Sequence, residues 1–259
     1  MSKRVIIINL LLFFLFGCSL FNKGKEEISN QAIFDRGKEY LDKNKFEKAK
    51  NNFKLIIESE KGALSLESHF YLGKAFFELD DYEQSLYHYN YYSMFSKNIE
   101  HIEFSQFMKC KCTFKMALPY KNDQNQSFFA ISTIQEFLDN FPLSKHKDDA
   151  YQMIQDLRNR ISKQYFETAR LYLKMKKYNS AFYYLDLVLS DYYDTKYSDE
   201  AKITYIFTYI LMGDFEEAKK YFDINKQNFK NDKKLKEAEN LLVKYKDRLG
   251  FSGYFRLYK

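Results

Sequence analysis

Few side chains in this chain stand where they could do chemistry. Cys110 and Cys112 are two apart in a helical pattern. Residues at that spacing leave nearly opposite sides of a helix, so two buried free thiols are a better reading than a disulfide or a shared metal. The 4 histidines (His69, His88, His101 and His146) are scattered, none with a ligand-type partner one helical turn away. No zinc-ligand spacing, Ser-His-Asp set or glycine-rich phosphate loop occurs, and carboxylates alternate with lysines on polar faces. The reading is no enzyme, no metal and no cofactor. Cys18 is different. It follows Lys3-Arg4, an apolar run from Val5 to Phe16, and Gly17. A basic start, an apolar stretch of about a dozen residues and a small residue before cysteine predict a lipoprotein signal over residues 1–17, with lipid attached at Cys18. Phe16 is bulkier than usual at its place. The apolar run is too short for a spanning helix.

Acyl chains on Cys18 would anchor an otherwise water-facing chain, with residues 18–30 as a lipidated polar tether. Loss of Lys3 and Arg4 with the signal lowers the formal charge from +6 to +4, too weak a bias to suggest nucleic acid. With 46% hydrophobic residues, 8 Gly and 2 Pro, the chain is rich enough for a helical core and poor in the turn residues of an all-β fold. Phe (26) and Tyr (23) are abundant while Trp is absent. That enrichment fits a compositional bias, so aromatic content alone carries no argument.

The elements that must position these residues read as helices. From Phe141 to Lys177 one amphipathic pattern runs without a breaker after Pro142. Ser144 is the expected N-cap, with Asp148 and Asp149 in the first turn. Ala150, Met153, Ile154, Leu157, Ile161, Tyr165, Ala169, Tyr172 and Leu173 recur at three-to-four spacing. Such a helix, near 145–175, cannot bury its stripe alone. It should be shared, closing one hairpin and opening the next. Beyond it, Tyr178-x-x-Ala181 with Leu185 matches four other segments. These are Phe46-x-x-Ala49 with Phe53, Tyr82-x-x-Ser85 with Tyr89, Ser127-x-x-Ala130 with Ile134, and Phe215-x-x-Ala218 with Phe222. Gly37-x-x-Tyr40 and Gly73-x-x-Phe76 stand upstream of the first two, 36 apart. That is near the 34-residue period of tetratricopeptide repeats. A small residue lets antiparallel helices approach, and a large one a turn away fills the space beside it. The fold class is all-α, a tetratricopeptide-like helical repeat solenoid of about five repeats. Residues 31–118 hold repeats one, two and the start of three; residues 119–250 hold repeats three to five, with a loop near Pro119–Gln126. Residues 251–259 form an aromatic tail.

A lipobox followed by such repeats resembles the BamD family of outer-membrane β-barrel assembly lipoproteins. The resemblance is carried by Phe141-Pro142-Leu143-Ser144, Leu157-Arg158-x-Arg160-Ile161, Ala169-x-x-Tyr172 and Asp191-Tyr192-x-Asp194-Thr195, with Asp123-Gln124 before the third repeat. It implies a lipid-anchored scaffold on the periplasmic face of the outer membrane. The partners it implies are the periplasmic domains of a BamA-like barrel insertase and unfolded outer-membrane proteins. Two positions depart from the family: Tyr193 stands where proline is usual, and Tyr184 where some members carry an arginine that contacts the insertase. Arg158, Arg160 and Tyr184 are the candidate partner-binding residues, with helix-surface charge as the competing role of the two arginines. The alternative function is another envelope tetratricopeptide adapter, peptidoglycan- or division-linked. A repeat domain accessory to cell-wall cleavage is a further rival.

Counting from Gly37 and Gly73, the groove-facing positions are Phe34, Lys38 and Leu41, then Phe70, Lys74 and Phe77. The two sets match type for type. An apolar floor with lysines along it would suit an extended segment ending in an aromatic residue and a free carboxylate. The alternative is core phenylalanines under solvated lysines.

Overall fold

A computed structural model describes residues 29–59 and 62–245. The signal, Cys18, the tether up to residue 28 and the aromatic tail lie outside the described residues. Among those described there are eleven α-helices, a short 3-10 turn and no strand. They are α1 (Asn30–Asp42), α2 (Phe46–Ser59), α3 (Ala63–Glu78), α4 (Tyr82–Phe95), α5 (Ile99–Met116), α6 (Asn125–Asn140), α7 (Lys147–Lys174), α8 (Tyr178–Asp191), α9 (Ser198–Met212), α10 (Phe215–Asn225) and α11 (Asp232–Lys244). The fold is thus the all-α, tetratricopeptide-like repeat. Two compact units, Met1–Ala75 and Phe76–Lys259, divide within α3. The division expected at 118/119 falls inside the second unit, in the loop between α5 and α6.

The five-fold pattern is the packing rule of the molecule. Ala49, Ser85, Ala130, Ala181 and Ala218 are all completely buried. So are Phe53, Tyr89, Ile134 and Leu185, and Phe222 is nearly so. Full burial of one such large apolar side chain contributes roughly 1.5–3 kcal/mol. All ten lie on α2, α4, α6, α8 and α10, the second helix of each repeat. Gly37 on α1 shows how close the approach is: an added Cβ would lie 2.8 Å from the Phe53 ring.

The turns inside the repeats are built alike as well. Asn44, Asp80, Lys176 and Gly213 all have positive φ, at 54°, 59°, 56° and 83°. Each stands two residues before the second helix of its repeat. The next amide donates back to a carbonyl five residues earlier: Lys45 to Tyr40, Asp81 to Phe76, Lys177 to Tyr172 and Asp214 to Tyr209. These are Schellman closures, which satisfy the orphan carbonyls of the first helix. Asp81 and Asp214 then cap the following helix by accepting from the Gln84 and Glu217 amides. The third repeat departs, joining α5 to α6 through the longer segment 117–124.

The long helix is present as α7, but Ser144 is not its N-cap. The helix starts at Lys147 with His146 at the cap position. Pro142 and Leu143 form a separate turn closed by the Ser144 amide to the Phe141 carbonyl. Within that turn the Ser144 hydroxyl donates to Glu103 Oε1 at 2.6 Å and accepts from the His146 amide. Downstream, α7 is shared as expected. Ala150 and Leu157 join a core with Phe107, Ala130 and Phe137 of α5 and α6. Ala169 and Phe166 pack with Leu185 and Val188 of α8 and Ala201 of α9. Leu173 belongs to the last core, with Ile203, Phe207 and Ala218. That core is completed by Ala238, Leu241 and Leu242 of α11. The segment leading into α11 is held by a buried ion pair. Asp199 accepts from Lys202 Nζ at 2.9 Å and from the amides of Lys230 and Asn231. Lys202 also donates to the Asn228 carbonyl.

Candidate functional site

In the first unit, α1, α2 and the first part of α3 meet around a cluster of rings. Phe34 packs edge-on against Phe53 and Tyr71, at 5.6 and 5.4 Å between centroids, and Tyr71 stacks on Phe53 at 5.5 Å. Phe70 meets Tyr71 edge-on at 5.3 Å. Phe34 and Phe70 are 7% and 2% exposed. The expected apolar floor is therefore corrected: burying these rings against the small-residue helix approach is worth more than leaving them open, so they are core. Lys38 is exposed, while Leu41 and Lys74 are partly buried. Phe77 belongs to the second unit, where Tyr82 packs edge-on against it and Lys111 Nζ lies 4.9 Å from its centroid.

The two lysines converge on one ring. Lys38 Nζ lies 5.8 Å from the Phe34 centroid and 5.7 Å from that of Tyr71. Lys74 Nζ lies 4.6 Å from Phe70 and 5.3 Å from Tyr71. Each such contact contributes about 0.5–2 kcal/mol and holds an ammonium over a ring face. Burial pushes the Lys74 ammonium below its ordinary pKa, and Lys38 adds to this while Asp42 opposes it. The arrangement is two cations near one aromatic ring, one of them partly desolvated. Sequence reasoning found both lysines but missed Tyr71. Its signal was helical spacing, since Tyr71 and Lys74 share one face of α3.

In the second unit the middle of α7 is bonded on both sides. Arg158 donates to Asp194 twice, Nε to Oδ2 at 3.1 Å and Nη2 to Oδ1 at 2.6 Å. Its Nη2 also donates to the Asp191 carbonyl, and the guanidinium lies 5.1 Å from the Tyr192 ring. This hydrogen bonding holds the Asp194 carboxyl below the usual carboxylate range. Nearby, Asn159 Oδ1 accepts from the Lys196 amide, and the buried hydroxyls of Ser162 and Thr195 lie 2.8 Å apart. Three side chains of α7 thus staple the α8–α9 loop to it. Arg160 turns the other way. It donates to the Ala117 carbonyl at 3.0 Å and lies over the Phe114 ring at 4.8 Å. Gln164 donates to the Asn122 carbonyl, and Lys163 Nζ sits 3.9 Å from the Tyr120 ring. The loop between α5 and α6 is therefore stapled as well.

Tyr184 of α8 stacks on Tyr172 of α7 at 5.4 Å and 13°, with Tyr165 at 6.2 Å. Tyr165 in turn meets Tyr192 at 5.8 Å. Ring contacts thus connect Tyr184 to the Tyr192 face that Arg158 covers, whereas Arg160 lies apart from both. Asp194, Asn159 and Ser162 were not singled out as site residues, although Asp194 and Arg158 fall in two of the motifs quoted above. Those two motifs prove to be halves of one contact.

Cys110 and Cys112 are both buried and free. Cys110 faces α6, with the Thr133 carbonyl at 3.7 Å, and Cys112 faces Ser85 of α4 at 3.2 Å. Burial pushes the two thiols up to about 12 and about 11. Among the described residues no group of three His, Cys, Asp or Glu side chains could hold a metal ion, and no helix is long and apolar enough to cross a membrane.

Comparison with known proteins bears on this arrangement. The family model YfiO, described as an outer membrane lipoprotein, matches residues 26–224. The outer membrane protein assembly factor BamD of Rickettsia prowazekii (strain Madrid E) is 23% identical over 218 residues, covering 83% of this chain and 86% of that protein. The match to the family takes in both lysines and the α7 staples and ends before α11.

Proposed function

The chain belongs to the YfiO family of outer membrane lipoproteins, and on that premise we propose that it is a non-enzymatic scaffold for inserting β-barrel proteins into the outer membrane. The relative named as an outer membrane protein assembly factor supports this reading. Lipid on Cys18 would hold the repeats on the periplasmic face. The observation that carries the scaffold role is the double stapling of α7. Arg158 and its neighbours bind one adjacent loop, and Arg160 and Gln164 bind the other. A surface whose loops are fixed before binding loses little ordering entropy when a partner docks. The arginines then serve by holding the loops, and the exposed Tyr193 and the partly buried Tyr184 are the side chains offered to a BamA-like periplasmic domain. Insertion itself would be driven by burial of the substrate in the membrane, with this chain holding partners together.

The lysine pair supports a second task of the same scaffold. Lys38 and Lys74 over Tyr71 suit a carboxylate at the end of an extended, unfolded barrel segment, whose terminal aromatic residue would lie along Leu41. Peptides with a free C-terminal carboxylate should bind more tightly than the same peptides amidated, and Lys38→Glu with Lys74→Glu should abolish that difference. Unchanged affinity in the charge-reversed chain would exclude the receptor role. The other envelope-adapter reading predicts cell-wall or division proteins as the copurifying set.

A further inference from the structure

The second helix of each repeat has four solvent-side positions, two, six, nine and ten residues after its buried small residue. In the first repeat they hold Asn51, Leu55, Glu58 and Ser59, and in the third Ser132, Glu136, Asp139 and Asn140. In α4 they hold Tyr87, Tyr91, Met94 and Phe95, at 57%, 37%, 66% and 56% exposure. The fourth and fifth repeats carry fewer apolar residues there, Tyr183 with Leu187 and Ile224 alone. The repeats serve as internal controls. A compositional bias toward aromatics acts on all five alike, so it does not account for a ridge confined to one. The ridge is continuous, with Tyr87 and Tyr91 at 6.5 Å and Tyr91 and Phe95 at 4.8 Å, and Ile99 beyond it is 75% exposed. Along the whole of α4 the only charged side chain is Glu83.

We propose that this face pairs two copies of the chain, antiparallel about a two-fold axis at Tyr91. Lipid-surface helices carry lysine or arginine beside their apolar face, and α4 has neither. Charge-poor, aromatic and methionine-rich faces are instead the composition of protein–protein interface cores. The ridge is complementary to itself. In the Tyr91-centred register Tyr87 meets Phe95 of the other copy. Glu83 falls near the other copy's Ser96–Asn98 loop and the start of its α5, where Lys97 and Glu100 are both exposed, so the register is set by the apolar ridge and not by charge. Half-exposed side chains of this size offer roughly 500 Å² per copy, so the pair buries on the order of 1,000 Å², at the low end of specific interfaces. Such a pair is weak in solution and gains from confinement on a membrane, where lipid anchoring raises the effective concentration. The proposal is independent of the peptide reading of Lys38 and Lys74.

The test is oxidative cross-linking of the full-length, lipid-anchored chain in membranes from its own cells. Tyr91→Cys should yield a disulfide-linked homodimer. The double variant Tyr87→Cys with Phe95→Cys should do so as well, while either of its halves alone yields little. Asn51→Cys and Ser132→Cys, at matching positions of other repeats, set the background. If Tyr91→Cys accumulates poorly, the double variant reads the same register. Homodimer several-fold above background supports the pairing. Homodimer at background, a disulfide to another protein, or equal yield from all exposed cysteines overturns it.

Discussion

At the residue scale, four turn positions share one backbone conformation and differ only in side chain. Asn44, Asp80 and Gly213 are residue types that tolerate positive φ, but Lys176 is not. A left-handed conformation costs an ordinary side chain about 1–2 kcal/mol, and part of the gain from glycine is returned through the entropy of the unfolded chain. Lys176→Gly should therefore raise unfolding stability by about 0.5–1 kcal/mol in chemical denaturation; a loss would mean that the exposed Lys176 side chain holds something. Gly37 is the reverse case. A methyl group there meets the Phe53 ring at 2.8 Å, and that ring is fully buried between Phe34 and Tyr71. Gly37→Ala should cost about 1–3 kcal/mol by overpacking, read by the same denaturation curves. Two groups, among others, contribute to the response to acid. Burial lowers His69 from 6.5 to about 4. Between those values the unfolded chain takes up a proton that the folded chain refuses, so stability falls as pH drops through that window. His69→Gln should flatten that part of the curve. Asp194, lowered by its bonds to Arg158, contributes stability that is complete above the usual carboxylate range and lost below it. Asp194→Asn should flatten the curve only below about pH 4.

At the scale of elements, the repeat was legible because it is a rule of volumes. A small residue and a large one, four apart on the second helix, had to be buried together in all five repeats, and they are. The long helix was legible for the same reason, since an apolar stripe of that length needs partners along its whole course. Its start was not. Ser144 has the right chemistry for a cap, but Pro142 forces a turn ahead of the helix, and the hydroxyl is used within that turn and on Glu103. The groove floor was left open between two readings because sequence matching between Phe34 and Phe70 cannot separate two exposed rings from two buried ones, and both rings are buried. Of the six groove positions only Lys38 is exposed, while Leu41, Lys74 and Phe77 are partly buried. The ion pair of Asp199 and Lys202 was invisible in sequence, as both look like surface residues of α9. Its partners lie about 30 residues on, in the segment that leads to α11. Removing one member of a buried pair costs about 3–5 kcal/mol. Asp199→Ala should lose that much and raise hydrogen exchange first in α11; exchange rising uniformly would show that the pair does not act on that element.

At the scale of the whole molecule, the two regions to which tasks are proposed differ in kind. The first unit offers a cation pair over an aromatic face. The second offers a long helix whose neighbouring loops are already tied down. The proposed division of labour follows from chemistry: a charged terminus calls for desolvated cations, whereas a folded partner calls for a surface that does not need to rearrange. Neither task needs a nucleophile or a cofactor. As the proposed scaffold, this lipoprotein would hold a barrel-assembly complex together, and the most direct test is its partner set. The tagged, lipid-anchored chain should be drawn from its own cells in mild detergent and its bound proteins identified by mass spectrometry. A large outer-membrane barrel protein with periplasmic repeats should be recovered with it. Recovery of cell-wall or division proteins without that barrel would contradict the scaffold role.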